Sequence, residues 1–271
     1  MPELPEVETI RRQLAAALVG TTVVAAAGHP SPRFNEAADV VGARFVTVGR
    51  RGKYLLIATD DARELIIHLG MTGTIGLTPM PPTPVDGTSR WRRATWTLDD
   101  GRTLDYDDQR RFGRIAVVPA GHHERLPTLA ALGPEPFDPA FTPAVFHRRL
   151  AGQRRHVKTA LLSQRVVAGV GNIYADEALW RARINPVVRR LGIERSTRLH
   201  GAMLATLSDA IDHGGTRFRD YRSVDGDTGR HQFHLDAYGR AGLPCHRCGA
   251  TLARRVVDGR GTTWCPTCQA R

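Results

Sequence analysis

Cys245-His246-Arg247-Cys248, followed after sixteen residues by Cys265-Pro266-Thr267-Cys268, is the stretch from which the fold can first be read. Each Cys-x2-Cys places two thiolates on one tight turn, and two such turns complete a tetrahedral sulfur shell for zinc. The chain has 4 cysteines in all, so no other thiol competes for a partner. Disulfides are the alternative, but the N-terminus, Met1-Pro-Glu-Leu-Pro-Glu6, is acidic and lacks the apolar run of an export signal. An iron–sulfur cluster would want more closely spaced cysteines. One structural zinc on Cys245, Cys248, Cys265 and Cys268 is therefore expected, carried by a hairpin within residues 233–268. Four protein ligands leave no open position, so this zinc holds a fold and does no chemistry. Arg254, Arg255 and Arg260 on the same hairpin suit it for phosphate contact.

Upstream of the cysteines the pattern is helical. A helix over Ser196–His213 stops at Gly214-Gly215. Two shorter helices, Val157–Gln164 and Ile173–Ala182, flank the glycine-bearing break Ala168-Gly-Val-Gly-Asn172. Thr142-Pro143 reads as a cap followed by proline at the first helical position. Residues 127–143 form a proline-punctuated connection. Before it the texture changes to short β-rich runs: Phe45–Val48, Tyr54–Ile57, Leu65–Ile67, a hairpin of Ala94–Leu98 with Thr103–Tyr106 turning at Asp99-Asp-Gly101, and Ile115–Val118. Val7, Ile10, Leu14 and Leu18, three and four residues apart, mark one face of a leading helix that ends near Gly20.

Length, 271 residues, fits one large domain or two modest ones. Hydrophobic content of 41% and charged content of 24% argue against wholesale disorder. No run approaches the length of a membrane span, so no membrane partner is expected and the cytoplasm is the expected place. Lys plus Arg is 38 against 27 Asp plus Glu, a net charge of +11. The excess is local. Residues 147–199 hold 12 bases and 3 acids, and residues 240–271 hold 6 and 1, whereas residues 1–146 hold 16 and 17. Two basic blocks on a near-neutral body point to a polyanion, most simply nucleic acid; a solvated arginine-rich surface is the plainer account. Only Lys53 and Lys158 are lysines; the other 36 bases are arginines.

Pro2 follows the initiator methionine and is small enough to permit its removal. That would expose a secondary α-amine. An α-amine has a pKa of about 7.7–8.0, against about 10.4 for a lysine side chain, so more of it is neutral and able to attack an aldehydic carbon. Glu3 beside it could move protons. Most prolines at position 2 do no chemistry, and the residues alone leave both accounts open.

Further segments carry a family likeness. Met1-Pro-Glu-Leu-Pro-Glu-Val-Glu-Thr9, Arg50-Arg-Gly-Lys-Tyr-Leu-Leu56, His68-Leu-Gly-Met-Thr-Gly73, Arg110-Arg-Phe-Gly113, Leu132-Gly-Pro-Glu-Pro136, Gly169-Val-Gly-Asn-Ile-Tyr-Ala-Asp-Glu177, Gly214-Gly-Thr216, Tyr238-Gly-Arg240 and the four cysteines resemble, in order and over the whole chain, bacterial formamidopyrimidine-DNA glycosylases. The resemblance implies an α+β architecture. It would comprise an N-terminal two-layer β-sandwich with a leading helix (residues 1–126), a helix-two-turn-helix domain (127–216), a lesion-recognition loop and connection (217–239), and a β-hairpin zinc finger (240–271). It implies a bifunctional glycosylase and abasic-site lyase for oxidised purines in double-stranded DNA, expected as a monomer, with no redox or nucleotide cofactor. The target nucleotide would be flipped out of the duplex. Pro2 would form a Schiff base at the sugar C1′, Glu3 would shuttle protons, and Lys53 would contact a phosphate near the lesion and assist. His68, Lys158, Asn172 and Arg260 match the family's phosphate contacts. Met71, Arg110 and Phe112 match the side chains that enter the void left by the flipped base. Residues 216–224 take the place of the recognition loop.

Three departures stand out. The family usually has Asp-Pro before Arg-Arg-Phe, where this chain has Asp108-Gln109, relaxing a rigid turn that feeds Arg110. The usual Lys-His-Asp-His stretch aligns with Arg90-Trp-Arg-Arg93, which keeps positive charge but alters the expected contacts. The loop carries Arg217, Arg219 and Arg222. The rival readings are the sister endonuclease VIII enzymes, which act on oxidised pyrimidines, and a non-catalytic damaged-DNA-binding protein on the same scaffold. Leu4, Arg110, Phe112 and the loop of residues 216–224 speak against the first; intact Pro2, Glu3 and Lys53 speak against the second.

Overall fold

Pro5 in the first turn and Glu6 reaching back to the Glu3 backbone start α1 (Leu4–Leu18), a computed structural model of the chain shows. The structure describes residues 2–78, 89–216 and 229–270. They divide into two units, residues 1–130 with 213–230, and residues 131–212 with 231–271.

In the first unit, eight strands follow α1: β1 (Val23–Gly28), β2 (Phe45–Arg51), β3 (Tyr54–Thr59), β4 (Arg63–His68), β5 (Gly73–Thr78), β6 (Arg92–Leu98), β7 (Thr103–Asp108) and β8 (Arg114–Pro119). They make two four-stranded sheets, ordered β1-β6-β7-β5 and β2-β3-β4-β8, with every pairing antiparallel. Trp96, Leu104 and Tyr106 from one sheet meet Phe45, Leu55, Ile57, Leu65 and Ile67 from the other. Val7, Ile10, Leu14 and Leu18 of α1 join that core. This is the expected sandwich behind a helix. A short helix, α2 (Pro127–Ala130), closes the segment. Strands β1 and β5 were absent from the sequence expectation. Their sequences, Val-Val-Ala-Ala-Ala-Gly and Gly-Thr-Ile-Gly-Leu-Thr, are weak β-formers, and pairing with β6 and β7 makes them strands.

Two glycines bring the loop after β4 against the loop before β8. A Cβ on Gly70, whose φ is +64°, would stand 2.4 Å from the Gly113 nitrogen. A Cβ on Gly113 would stand 1.8 Å from the Tyr106 hydroxyl. Met71 and Phe112 lie one residue from these contacts, so the glycines place them.

The second unit is helical, with α3 (Pro143–Ala151), α4 (Val157–Leu162), α5 (Asn172–Arg181) and α6 (Ile193–Asp212), then β9 (Ala253–Val257) and β10 (Arg260–Trp264). Thr142 caps α3 by accepting from the Val145 N–H at 3.3 Å, as its place before Pro143 foretold. Phe146, Leu161, Tyr174, Leu179, Met203 and Leu207 form the core. Gln164, at φ +61°, ends the α4 segment and turns its side chain back: Oε1 accepts from the Gly169 N–H at 2.9 Å and Nε2 donates to the Val170 carbonyl. That brace shapes the glycine-bearing break. The hairpin turns at Asp258-Gly259, both left-handed (φ 47° and 78°), the pattern of a two-residue type I′ turn. Asp-Gly is a strong hairpin signal in its own right, independent of the cysteines.

Among the described residues, 213–216 and 229–230 group with the sandwich. The Thr216 N–H donates to Glu6 Oε1 at 2.7 Å, and the Arg230 N–H to the His213 carbonyl at 2.9 Å. Of the expected recognition loop, residues 217–224 lie outside the described residues.

Gly113→Ala is expected to lower stability by about 1–3 kcal/mol through overpacking on Tyr106. Gly201→Ala, on α6 with open space around it, is expected to raise stability by up to about 1 kcal/mol. Denaturant midpoints of the two variants check both signs.

Candidate active site and nucleic-acid interface

Pro2 and Glu3 are buried at the start of α1. Glu6, only 1% exposed, sits one helical turn on and uses both carboxylate oxygens. Oε2 accepts from the Glu3 N–H at 2.8 Å, and Oε1 takes the Thr216 N–H. A Cβ on Gly215 (φ +82°) would come within 2.8 Å of Glu6 Oε1, so only glycine leaves room for this arrangement. Glu6 thus fixes the backbone beside Pro2 to the residues leading into the segment after Thr216. It was not among the predicted site residues, although its position three after Glu3 is the capping-box spacing.

Lys53 follows Gly52 in the two-residue turn joining β2 to β3, and Gly52 at φ +56° is the first central residue that a type II′ turn favours. Lys53 is only 7% exposed, which excludes a freely solvated hairpin cation. Its charge acts on His68 at the end of β4. Burial, then the Lys53 ammonium, push the His68 pKa down to about 4. His68 is therefore neutral near pH 7. Its Nδ1 accepts from the Gly70 N–H at 3.1 Å, which puts the ring proton on Nε2 as a donor. Tyr54 lies across the imidazole, with ring centroids 4.6 Å apart. A neutral imidazole donor close to a buried ammonium suits a phosphate oxygen.

Met71, Arg110 and Phe112 stand on the two loops that the glycines press together. Arg110 and Phe112 are exposed, Met71 partly so. Arg111, at φ +55°, bends the chain so that the Arg110 guanidinium lies over the Phe112 ring, 4.7 Å from its centroid. The organiser is Asp108, which is fully buried. Its Oδ1 accepts from the Thr72 hydroxyl at 2.6 Å and the Arg110 N–H at 3.2 Å, and its Oδ2 from the Gly113 N–H at 2.7 Å. This carboxylate holds the turn, so Gln109 leaves it ordered without a proline. The Arg90–Arg93 departure also resolves. Arg92 pairs with Asp105 and Asp107, and Arg93 is buried, donating to the Asp108 carbonyl at 2.9 Å. Of the three arginines only Arg90 is exposed, over Trp91.

In the second unit, Lys158, Asn172 and Asp176 all address β10. The Lys158 ammonium, 1% exposed, pairs with Asp176 at 2.7 Å and donates to the Gly261 carbonyl at 3.0 Å and the Thr262 hydroxyl at 2.9 Å. Asn172 Nδ2 donates to the same Gly261 carbonyl at 3.1 Å, and Asp176 Oδ2 accepts from the Thr263 N–H at 3.0 Å. Lys158 was expected to present a cation to phosphate. Three acceptors already surround its ammonium, so it anchors the strand that carries Arg260. Arg260 itself is exposed at the start of β10. The buried Glu177 carboxylate accepts from the backbone N–H groups of Asp236, Ala237 and Tyr238 at 2.7–2.9 Å, which joins α5 to the Tyr238-Gly-Arg240 motif. Burial pushes its pKa up to about 7 against three donors that favour the anion.

Cys245, Cys248, Cys265 and Cys268 bring their sulfurs within 4.8 Å of one another. Tetrahedral zinc with bonds of about 2.3 Å puts its sulfurs about 3.8 Å apart, so the donor set fits. The Trp180 indole N–H points at Cys245 Sγ, 3.4 Å away. Gln269, fully buried, accepts from the Cys265 N–H at 2.8 Å and donates to the Ile184 carbonyl at 2.8 Å. No helix among the described residues is long and apolar enough to cross a membrane.

Residues 1–115 match the family model of the formamidopyrimidine-DNA glycosylase N-terminal domain, residues 132–221 that of the formamidopyrimidine-DNA glycosylase H2TH domain, and residues 242–271 that of a zinc finger found in FPG and IleRS. The chain is 46% identical to formamidopyrimidine-DNA glycosylase of Thermus thermophilus, over 99% of this chain and 98% of the relative. Among solved structures it is similar to the MutM (Fpg) protein of Thermus thermophilus, with 45% identity, a TM-score of 0.91, and coverage of 100% and 99%. It is also similar to the Lactococcus lactis FPG mutant G226P in complex with Fapy-dG containing DNA, with 34% identity, a TM-score of 0.88, and full coverage of both chains.

Lys158→Met is expected to destabilise the protein by about 3–5 kcal/mol, because it leaves Asp176 buried without its cation. The double variant Lys158→Met/Asp176→Leu should recover part of that loss. Unchanged stability in the single variant would mean that the ammonium is a surface cation after all. For His68, the unfolded chain takes up a proton near pH 6.5 and the folded chain near 4. Its contribution to stability is therefore full above about pH 6.5 and falls as pH drops towards 4. A histidine NMR titration should place the His68 midpoint near 4; a midpoint near 6.5 would contradict the burial argument.

Proposed function

The chain belongs to the formamidopyrimidine-DNA glycosylase family, a base-excision repair glycosylase and abasic-site lyase with one structural zinc, and from that premise we propose how its own residues act. The observation that carries the proposal is the buried Pro2-Glu3 pair, held by Glu6 at the start of α1. Once Met1 is removed, Pro2 is a secondary amine with a carboxyl group adjacent in sequence. Its nitrogen attacks C1′ of the damaged nucleotide and the oxidised base departs, taking up a proton. Glu3 protonates O4′ as the sugar ring opens, leaving an iminium between Pro2 and C1′. The iminium is an electron sink, so the C2′ proton becomes acidic. Its removal expels the 3′ phosphate by β-elimination, and δ-elimination then releases the 5′ phosphate. A one-nucleotide gap with phosphate ends remains.

Lys53 and the neutral His68 receive a phosphate beside the reacting sugar, the first as a cation and the second through its Nε2–H. Phe112 and Met71 fill the stack where the nucleotide leaves, and Arg110 hydrogen-bonds the orphaned base. Arg260 clamps the backbone from the zinc hairpin, with Lys158 and Asn172 holding that hairpin in place. The preferred substrates are oxidised purines in duplex DNA. The protein acts as a monomer in the cytoplasm, on the nucleoid.

Borohydride trapping on 8-oxoguanine duplex is expected to give a covalent adduct with wild type and none with Pro2→Gly. Undiminished trapping by the variant would overturn the mechanism, and faster cleavage of thymine-glycol duplex than of 8-oxoguanine duplex would overturn the substrate class. Lys53→Arg is expected to retain DNA affinity and to lose at least about tenfold in single-turnover rate, since the bulkier fork cannot replace a compact ammonium in a buried position.

A further inference from the structure

In the second unit, Arg154, Arg155, His156, Thr159, Arg189 and Asp258 line an open depression of about 410 Å³ that none of the roles above uses. All three arginines are exposed. Among the described residues, no carboxylate forms a salt bridge with any of them. The one acid in the lining, Asp258, is already committed. It accepts from the Thr159 hydroxyl and, at 2.9 Å, pairs with His156 Nδ1. Those contacts hold its carboxyl below the usual range, the Thr159 hydroxyl first and His156 next. Three guanidiniums against one carboxylate leave the depression at +2 even with His156 neutral.

The depression has a built floor. Asp258 is the first central residue of the β9–β10 turn, and it ties the hairpin tip to the start of α4, between residues 156 and 159. The arginines therefore surround a frame held from two elements. Guanidinium forks match the tetrahedral oxygens of phosphate and can each give two hydrogen bonds. The lining contains no Phe, Tyr or Trp on which a base could stack, which disfavours a free nucleotide or an unstacked single strand. Arg260 lies two residues beyond Asp258 on the same hairpin, so the depression continues the surface that presents that arginine.

We propose that this depression binds a backbone phosphate of the duplex outside the group gripped at the lesion, and so extends the enzyme's footprint along the undamaged DNA. The inference rests on the chain being a DNA glycosylase. Its effect is on affinity and on holding register during the search, with no base read, because phosphate contacts position a protein without reporting sequence.

The test is binding to duplex carrying a tetrahydrofuran abasic analogue, by fluorescence anisotropy, across about 50–200 mM salt. Removing one phosphate-binding cation should flatten the slope of log K against log salt by about 1, so Arg154→Ala/Arg155→Ala/Arg189→Ala should flatten it by about 1–3. The corresponding triple lysine variant should keep most of the slope. Independently, shortening one arm of the duplex a base pair at a time should reveal a length at which wild type loses affinity and the alanine variant does not. An unchanged slope in the alanine variant, or equal losses on every truncated duplex, would overturn the proposal. So would an effect seen only on competition by inorganic tripolyphosphate and absent on DNA. Failure of the enzymatic reading would show separately, as a wild-type protein that gives no borohydride adduct on damaged DNA.

Discussion

A carboxylate taken out of water must be given hydrogen-bond donors, and in this protein the donors are backbone N–H groups of distant segments. Glu6 receives the N–H groups of Glu3 and Thr216; Asp108 receives those of Arg110 and Gly113; Asp176 receives that of Thr263; Glu177 receives three from Asp236 to Tyr238. Each of these acids is essentially buried. Each holds one segment in place: the backbone beside Pro2, the loop bearing Arg110 and Phe112, the strand bearing Arg260, and the approach to the zinc finger. Removing one such acid would leave several donors unsatisfied at once, and for that reason loops can hold chemistry to sub-ångström placement.

The two lysines now divide in role. Both stand in a chain whose other bases are arginine, and both are buried. Lys53 acts on the neutral histidine beside it. Lys158 pairs with Asp176 and donates to the Gly261 carbonyl and the Thr262 hydroxyl. A guanidinium at Lys158 would be too large and too flat for that three-sided pocket. Both lysines thus stand where burial favours a compact cation over a guanidinium. The exposed arginines supply the field that draws DNA.

The metal centre was legible beforehand, because Cys-x2-Cys twice over carries its meaning in a few adjacent letters, and so was the family, through motifs such as Pro2-Glu3 and Arg110-Arg-Phe112. The main strands of the sandwich were legible where β-branched and aromatic residues cluster. The edge strands β1 and β5 were not, since alanine and glycine become strands there only by pairing. Glu6 and Asp108 escaped notice as site residues because an acid's role depends on which backbone donors arrive beside it, from as far as 210 residues away.

The sequence by itself determined the four cysteines that can hold zinc, the family, the basic blocks and the order of helix, strands, helices and hairpin, because short-range spacing and charge are properties of the linear chain. Only the tertiary structure decided that Lys158 faces inward, that Arg92 and Arg93 are internal, that Asp108 stands in for a rigid turn at Gln109, and that residues 213–216 belong with the sandwich. The physical reason is common to all four. Whether a charged group serves a ligand or the fold depends on the partners that burial gives it, and those partners come from parts of the chain that the linear order keeps apart.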